Sequence, residues 1–480
     1  MSNTIKTKTI RGLIWSGIEK FSYEIIQFLV GIVMARLLFP SDYGVVGVLL
    51  VFISFSNLFI DGGLATALIQ KKNRTNDDFN TAFLYNLVIS IILYVIIFLS
   101  APLIANFYCN PEITNLLRFL TIILIISPFS SIQITRLTID VDFKIISISS
   151  IIAAFTSGGI GIYLAYVGYG VWALVFQQII MNICKTLLLN FLSKWKPSFS
   201  FSRKSFKDLF SFGYKLLLAN FIGRVYDNSY PLIIGKFFPI SVLGYYTRAR
   251  QYSDLPSQAL RELFMRVSFP IFASIREDKD HINRVYRIYI ESSSFIIFPV
   301  MFSLILISKP LILIMLTEKW VDVVPYLQLL SLGVMVKHIS AINLNLLFVY
   351  GRSDLALKLE ILKKTIAFLI LFLSILGGIW GICIGQVIYE FVATILNSKY
   401  TKMLIGLSYK KQLFDFGKVW IIGCISIFPP FLLISNIENC YLQIVAGLIT
   451  YTLLYLLTNK ICKTGSLYMM LDLIRKKNRF

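Results

Sequence analysis

DFNTAFLYNLVISIILYVIIFLSAPLIAN, residues 78–106, carries no charge beyond its opening Asp78. A helix of about 20 apolar residues crosses a ~30 Å hydrocarbon core, and this block is longer than that. A barrel strand instead alternates apolar and polar positions over segments of about ten residues. Here Ile, Leu, Val and Phe follow one another without alternation, so the spanning element is a helix. The rest of the chain repeats the pattern. Of 480 residues, 57% are hydrophobic and 15% charged, against about 25% charged in a soluble protein, and the mean hydropathy is +0.75. Such blocks predict spans at 10–38, 43–70, 78–106, 112–138, 143–167, 170–193, 207–236, 241–275, 283–308, 324–350, 355–376, 379–405, 411–435 and 440–460. The fold class expected is an all-α polytopic membrane protein with about 14 transmembrane helices.

Residues 1–11 are polar and basic and lead into an apolar stretch ending at Leu38. That stretch is too long for the apolar region of a cleaved leader and lacks a small-x-small site, so it reads as an uncleaved first helix. The formal net charge of +21 invites a nucleic-acid reading, but Lys and Arg gather in short segments between apolar blocks. With the N-terminus inside, 29 basic residues fall on the cytoplasmic side, from Lys6, Lys8 and Arg11 to Arg475, Lys476, Lys477 and Arg479. Only four, Arg36, Lys236, Lys309 and Lys319, fall on the other. This asymmetry follows the positive-inside rule and predicts a multi-pass membrane protein with both termini cytoplasmic and no nucleic-acid partner. The six cysteines form no CxxC pair and there are two histidines, so neither a disulfide framework nor a metal site is expected. There is no GxxxxGK[ST] phosphate loop, and the longest extracytoplasmic segment, Lys309–Val323, is too short to hold the acceptor and catalytic groups of a glycan polymerase or glycosyltransferase. The expectation is a transporter, not an enzyme.

A shift of 200 residues lays the chain on itself. Arg36-Leu37-Leu38 meets Lys236-Phe237-Phe238, Ser41 meets Ser241, and Gly44 meets Gly244. Lys20, Glu24 and Gln27 overlie Asn220, Arg224 and Asp227. Six helices separate the two starts, so the repeat is parallel, the arrangement with which many secondary transporters build a site between lobes. The domains expected are an N-lobe at 1–193, a cytoplasmic linker at 194–206, a C-lobe at 207–405, and two further helices with a basic cytoplasmic tail at 406–480.

ARLLFPSDYGVVGVL (35–49), FIDGGLATALIQKKN (59–73) and DNSYPLIIGKFFPISVLGYYTRARQY (227–252) resemble the polysaccharide-transporter branch of the MOP flippases. These are the O-antigen and capsule repeat-unit flippases, relatives of the lipid II flippase and of MATE exporters. The resemblance covers nearly the whole chain. It implies a V-shaped bundle of two six-helix lobes with a central cationic cavity, working by alternating access. It also implies a polyprenyl-diphosphate-linked oligosaccharide as substrate, held in membrane lipid, with a glycan polymerase and ligase as partners in the pathway. No cofactor is implied beyond coupling to H+ or Na+.

The residues offer their own reading of the site. Thirteen basic residues fall inside predicted helices, and each needs a wet cavity or a partner because charge at the bilayer centre costs a few kcal/mol. Arg266, Lys363, Lys364, Lys215 and Lys418 lie near cytoplasmic ends and are expected to snorkel. Among the others, which include Arg118, Lys185 and Lys337, stripes form on one helical face: Ser16, Lys20, Glu24 and Gln27; Asn220, Arg224, Asp227 and Pro231; Arg250, Asp254, Ser257 and Arg261. With Arg248 beside them, their basic surplus suits a diphosphate, whose oxygens accept the paired donors of a guanidinium. The bland alternative is that Lys20–Glu24 and Arg250–Asp254 are structural i,i+4 pairs. Asp61 overlies Arg261 in the repeat and is a candidate lock with it, and Asp254, Glu291 and Glu390 are candidates for gating or ion coupling. A MATE-type multidrug exporter needs an acidic cavity for cationic drugs, which the Arg and Lys surplus disfavours. A lipid II flippase differs in substrate alone and stays open.

Overall fold

The computed structural model describes residues 2–193, 195–465 and 467. Lys194 and the basic tail expected around Arg475–Arg479 lie outside them. The first helices are α1 (Ser2–Leu37), α2 (Pro40–Asp61), α3 (Leu64–Gln70), α4 (Asn76–Phe107), α5 (Glu112–Leu120), α6 (Ile122–Ile139), α7 (Phe143–Tyr166) and α8 (Val171–Leu192). They are followed by α9 (Arg203–Phe237), α10 (Ile240–Ser274), α11 (Lys279–Leu316), α12 (Val323–Val334), α13 (Lys337–Val349), α14 (Ser353–Ile375), α15 (Gly378–Ile405), α16 (Tyr409–Ile434) and α17 (Cys440–Ile461). No strand occurs among the described residues. Taking α2–α3, α5–α6 and α12–α13 as interrupted single rods leaves fourteen, each matching a predicted span to within a few residues at most of its ends.

Among the described residues, ten rods are long and apolar enough to cross a membrane on length and composition alone. The four that fall short are α1, α9, α10 and α14. They are the helices that carry Lys20 and Glu24, Arg224 and Asp227, Arg248, Arg250 and Asp254, and Lys363 and Lys364. Their shortfall reflects the charge they carry. Two of the ten stand out for how little of them the protein covers. α4 and α17 bury only 17% of their apolar windows inside the protein and leave Leu99, Leu103, Leu453 and Ile461 exposed, the surface that lipid tails cover.

The interruption of α2 has a local cause. Gly62 and Gly63 both adopt left-handed backbone, with φ of 53° and 74°, which a residue with a Cβ rarely tolerates. The close approach adds a second requirement, since a Cβ on Gly63 would stand 2.4 Å from the Gly213 carbonyl oxygen of α9.

The chain forms two compact units, Met1–Gly244 and Tyr245–Phe480. In the first, α1 packs on α7, α7 on α8, α4 on α5 and α6, and α9 on α2, α3 and α4. One apolar core, around Met34, Leu49, Leu117 and Leu124, lies among α1, α2, α5 and α6. A second, around Leu68, Phe83, Ile132 and Trp195, lies at the other end. The segment between α8 and α9 is strapped to this unit. Asn80 and Thr81 of α4 accept from the Ser198 and Ser202 amides at 3.0 Å, and Gln133 donates to the Trp195 carbonyl at 2.8 Å. In the second unit α11 packs on α12, α16 and α17, and α15 on α12, α13 and α14, around Tyr286, Phe298, Met335 and Tyr451.

The segments that overlie under the 200-residue shift also touch, within the first unit. A Cβ on Gly44 would sit 1.9 Å from the Ile240 carbonyl oxygen, and a Cβ on Gly244 would sit 1.9 Å from the Pro40 carbonyl oxygen. Backbone meets backbone on both sides, and only glycine leaves the room.

Candidate functional site

A cavity of about 700 Å³ opens in the first unit between α2 and α9. α2 contributes Leu50, Ile53, Ser54, Asn57, Leu58 and Asp61; α9 contributes Ala219, Asn220, Gly223, Arg224 and Asp227. Both linings are single helical faces. Asn220, Arg224 and Asp227 are spaced four and three along α9, and Ser54, Asn57 and Asp61 three and four along α2. Asn228 joins the helices, donating to Ser54 Oγ at 3.3 Å and to the Arg224 carbonyl at 2.8 Å. At the Gly62–Gly63 break, the Asp61 carboxylate sits beside the backbone N–H groups of Gly63 and Ala65.

Arg224 differs. Its guanidinium is exposed to the cavity and, among the described residues, makes neither a hydrogen bond nor an ion pair. Its i,i+3 neighbour Asp227 lines the same cavity but is not paired with it. By count the lining holds one cation and two carboxylates, with Asn57, Asn220 and Ser54 as neutral hydrogen-bonding groups.

The α1 candidates lie elsewhere in this unit. Gln27 donates to Met181 Sδ of α8 at 3.6 Å, and Tyr23 reaches the same sulfur at 3.8 Å. Glu19 accepts from Ser150 of α7 at 3.1 Å. α1 supplies no residue to the cavity wall, so Lys20 and Glu24 are not brought to Arg224 there.

The second unit holds a contrasting cluster. Lys337 of α13 stands 3.1 Å from Asp254 of α10 and 3.5 Å from Glu390 of α15, and Arg250 stands 3.6 Å from Asp254. Two cations and two carboxylates compensate one another across three helices. Arg248 is buried and donates to Gln251 at 2.5 Å. Arg261 stays outside the cluster and makes no ion pair with a described residue. Glu291 lies one turn from Arg287, which holds Asp415 of α16 through hydrogen bonds of 2.8 and 2.7 Å. Lys363 does not snorkel; it is buried and pairs with Glu360 one turn earlier.

Sequence reasoning missed Ser54 and Asn57, although their spacing from Asp61 was the same helical signal read elsewhere. It placed Lys337 inside the membrane without seeing that it joins Asp254 to Glu390. No pattern within one helix carries that link, because it is made between helices.

Residues 33–325 match the family described as polysaccharide biosynthesis protein. The teichuronic acid biosynthesis protein TuaB of Bacillus subtilis (strain 168) is 26% identical over 355 residues, 74% of each chain. The lipopolysaccharide biosynthesis protein WzxC of Escherichia coli (strain K12) is 24% identical over 424 residues, 85% of this chain and 84% of that one. Among solved structures, the lipid II flippase MurJ in an inward closed conformation aligns with a TM-score of 0.76 at 14% identity, over 94% of this chain and 99% of that one. An inward-facing MATE family multidrug resistance transporter of the MOP superfamily aligns with a TM-score of 0.62 at 18% identity, over 82% and 98%. At these identities the two structures speak for the fold.

Proposed function

The chain belongs to the polysaccharide biosynthesis protein family, and on that premise we propose that it is a flippase. It carries a polyprenyl-diphosphate-linked oligosaccharide across the bacterial inner membrane for the assembly of O-antigen, capsule or exopolysaccharide. The relatives named for teichuronic acid and lipopolysaccharide biosynthesis support the substrate class. One observation in the molecule carries the reading: the Arg224 guanidinium stands in a polar cavity between membrane helices with its donors unanswered by any described residue. A cation so placed is stable when water or an anionic ligand completes it, and a diphosphate offers acceptor oxygens in the geometry a guanidinium fits. The volume falls within the roughly 300–1,000 Å³ of small-ligand sites, enough for a diphosphate with the first sugar, and the two asparagines offer hydrogen bonds to hydroxyls.

Asp61, at a helix break beside that cavity, is the residue we assign to coupling with H+ or Na+. Alternating access follows from the charge of the cargo, because a diphosphate cannot enter hydrocarbon unaided. The headgroup passes through the protein while the polyprenyl tail stays in lipid.

The test is reconstitution. Proteoliposomes loaded with polyprenyl-diphosphate oligosaccharide in one leaflet are probed with a lectin from the other side. Sugar is expected to become accessible only with the protein present. If the glycan lipid does not cross while a cationic dye is exported, the MATE-type reading replaces this one. The orientation has its own check: reporters fused near residues 40, 168 and 437 are expected to read periplasmic, and a cytoplasmic reading at any of them overturns the topology.

A further inference from the structure

α16 and α17 follow the repeat and take no part in either charge site, yet they form a groove of their own. It runs along α16 from Lys410 to Ile425, with Phe391 of α15 and Cys462 at the end of α17 on its walls, and measures about 820 Å³. Leu413, Gly417, Ile421 and Ile425 recur every four residues and make one continuous apolar strip. Gly417 is the unusual member. Glycine inside a helix is unfavourable relative to alanine, and it is normally explained by a neighbour that needs the space. Here a Cβ would meet only Leu413 Cδ1, at 3.9 Å. The missing side chain serves no packed helix. It deepens the groove.

The charge along the first half of the groove, Lys410 at its start and Lys418 about two turns further in, is one-sided. Lys410 makes no hydrogen bond or ion pair with a described residue. Lys418 donates to the Cys462 carbonyl at 3.1 Å, which leaves two of its N–H donors for another acceptor. Lys411, Lys460 and Lys463 adjoin these residues in the chain. Asp415, the one carboxylate on α16, is already held by both hydrogen bonds from Arg287.

We propose that this groove binds an anionic glycerophospholipid, with an acyl chain along the Leu413–Ile425 strip and the phosphate on Lys410 and Lys418. Basic pockets where membrane helices meet the surface hold such headgroups. A zwitterionic lipid fills the strip equally well but answers the lysines poorly, so headgroup charge decides the occupant. The topology proposed above puts this site in the cytoplasmic leaflet; the assignment of the ligand does not depend on it.

Trp420 lines the groove and reports its occupancy. The full-length protein is reconstituted in vesicles containing brominated phosphatidylglycerol or brominated phosphatidylcholine, and Trp420 quenching is taken as the difference between the wild type and Trp420→Phe. Quenching is expected to half-saturate at about thirtyfold less phosphatidylglycerol than phosphatidylcholine. Replacing both lysines (K410Q with K418Q) is expected to erase that preference. Gly417→Leu is expected to abolish Trp420 quenching by either lipid while the other tryptophans report unchanged folding. Equal quenching by the two lipids in the wild type overturns the proposal, as does a preference that survives the double substitution. Displacement of the phosphatidylglycerol by a small fraction of its concentration of polyprenyl phosphate also overturns it, since the groove would then seat the transported lipid.

Discussion

The α2–α9 cavity and the Lys337 cluster are made from the same material. Each sets an Arg and an Asp one turn apart on one membrane helix, with further polar or charged groups from its neighbours. Their electrostatic outcomes are opposite. In the second unit Lys337 and Arg250 answer Asp254 and Glu390 within 3.6 Å, and the cluster needs nothing further. In the first, Asp61 lies beside the backbone N–H groups of the helix break and the Arg224 guanidinium is answered by no described residue. A polar stripe on a membrane helix therefore announces charge, but only the groups facing it decide whether that charge holds helices together or waits for a ligand.

Arg224→Ala is the substitution that tests the comparison hardest. Hydrogen bonds to charged groups are worth about 1.5–3 kcal/mol, so glycan export should fall roughly tenfold to a hundredfold. Abundance in the membrane should stay level. Loss of both together would put Arg224 with the structural charges. Lys337→Ala should do the reverse, leaving two carboxylates facing each other. Complete burial would make the cost about 3–5 kcal/mol; with side chains 12–32% exposed about 1–3 kcal/mol is expected, read as a lower melting temperature of the purified protein. Adding Glu390→Gln should recover part of that loss, and no recovery would mean that the pair is not what holds Lys337.

Two gentler changes sharpen the contrast. Arg224→Lys keeps the charge and loses the paired donors, so export should settle between wild type and Arg224→Ala. Export at the wild-type level would reduce the role to that of a point charge. Arg250→Ala removes the most weakly placed member of the cluster, at 3.6 Å with Lys337 still on Asp254. A surface-like cost of about 0.3–0.5 kcal/mol is expected, and a drop comparable to that of Lys337→Ala would contradict the geometry.

The helices themselves were legible because apolar runs such as 78–106 have only one stable form in hydrocarbon. The grouping of Asn220, Arg224 and Asp227 was legible for a related reason, since helical spacing alone puts them on one face. What faced them was not. Gln27 sits on the same kind of stripe and ends against Met181, because α1 packs on α7 rather than beside α9. Residues 194–206 read as a cytoplasmic linker, although Gln133, Asn80 and Thr81 fasten Trp195, Ser198 and Ser202. A polar residue in an apolar helix signals that some partner exists, and the partner's address lies in the tertiary fold.

The crossing of residues 40–44 with 240–244 has a consequence for the origin of the chain. Gly44 presses on the carbonyl of residue 240 and Gly244 on that of residue 40, so each segment does to the other what is done to it. That is the isologous relation of a twofold dimer interface, in which one patch meets its own copy. A half-length ancestor would have made this contact between two identical chains, needing one glycine where the present chain needs two. In a single chain every other position of the two halves is free to differ. The two glycines could not follow, because what they must clear is main chain, which no mutation alters.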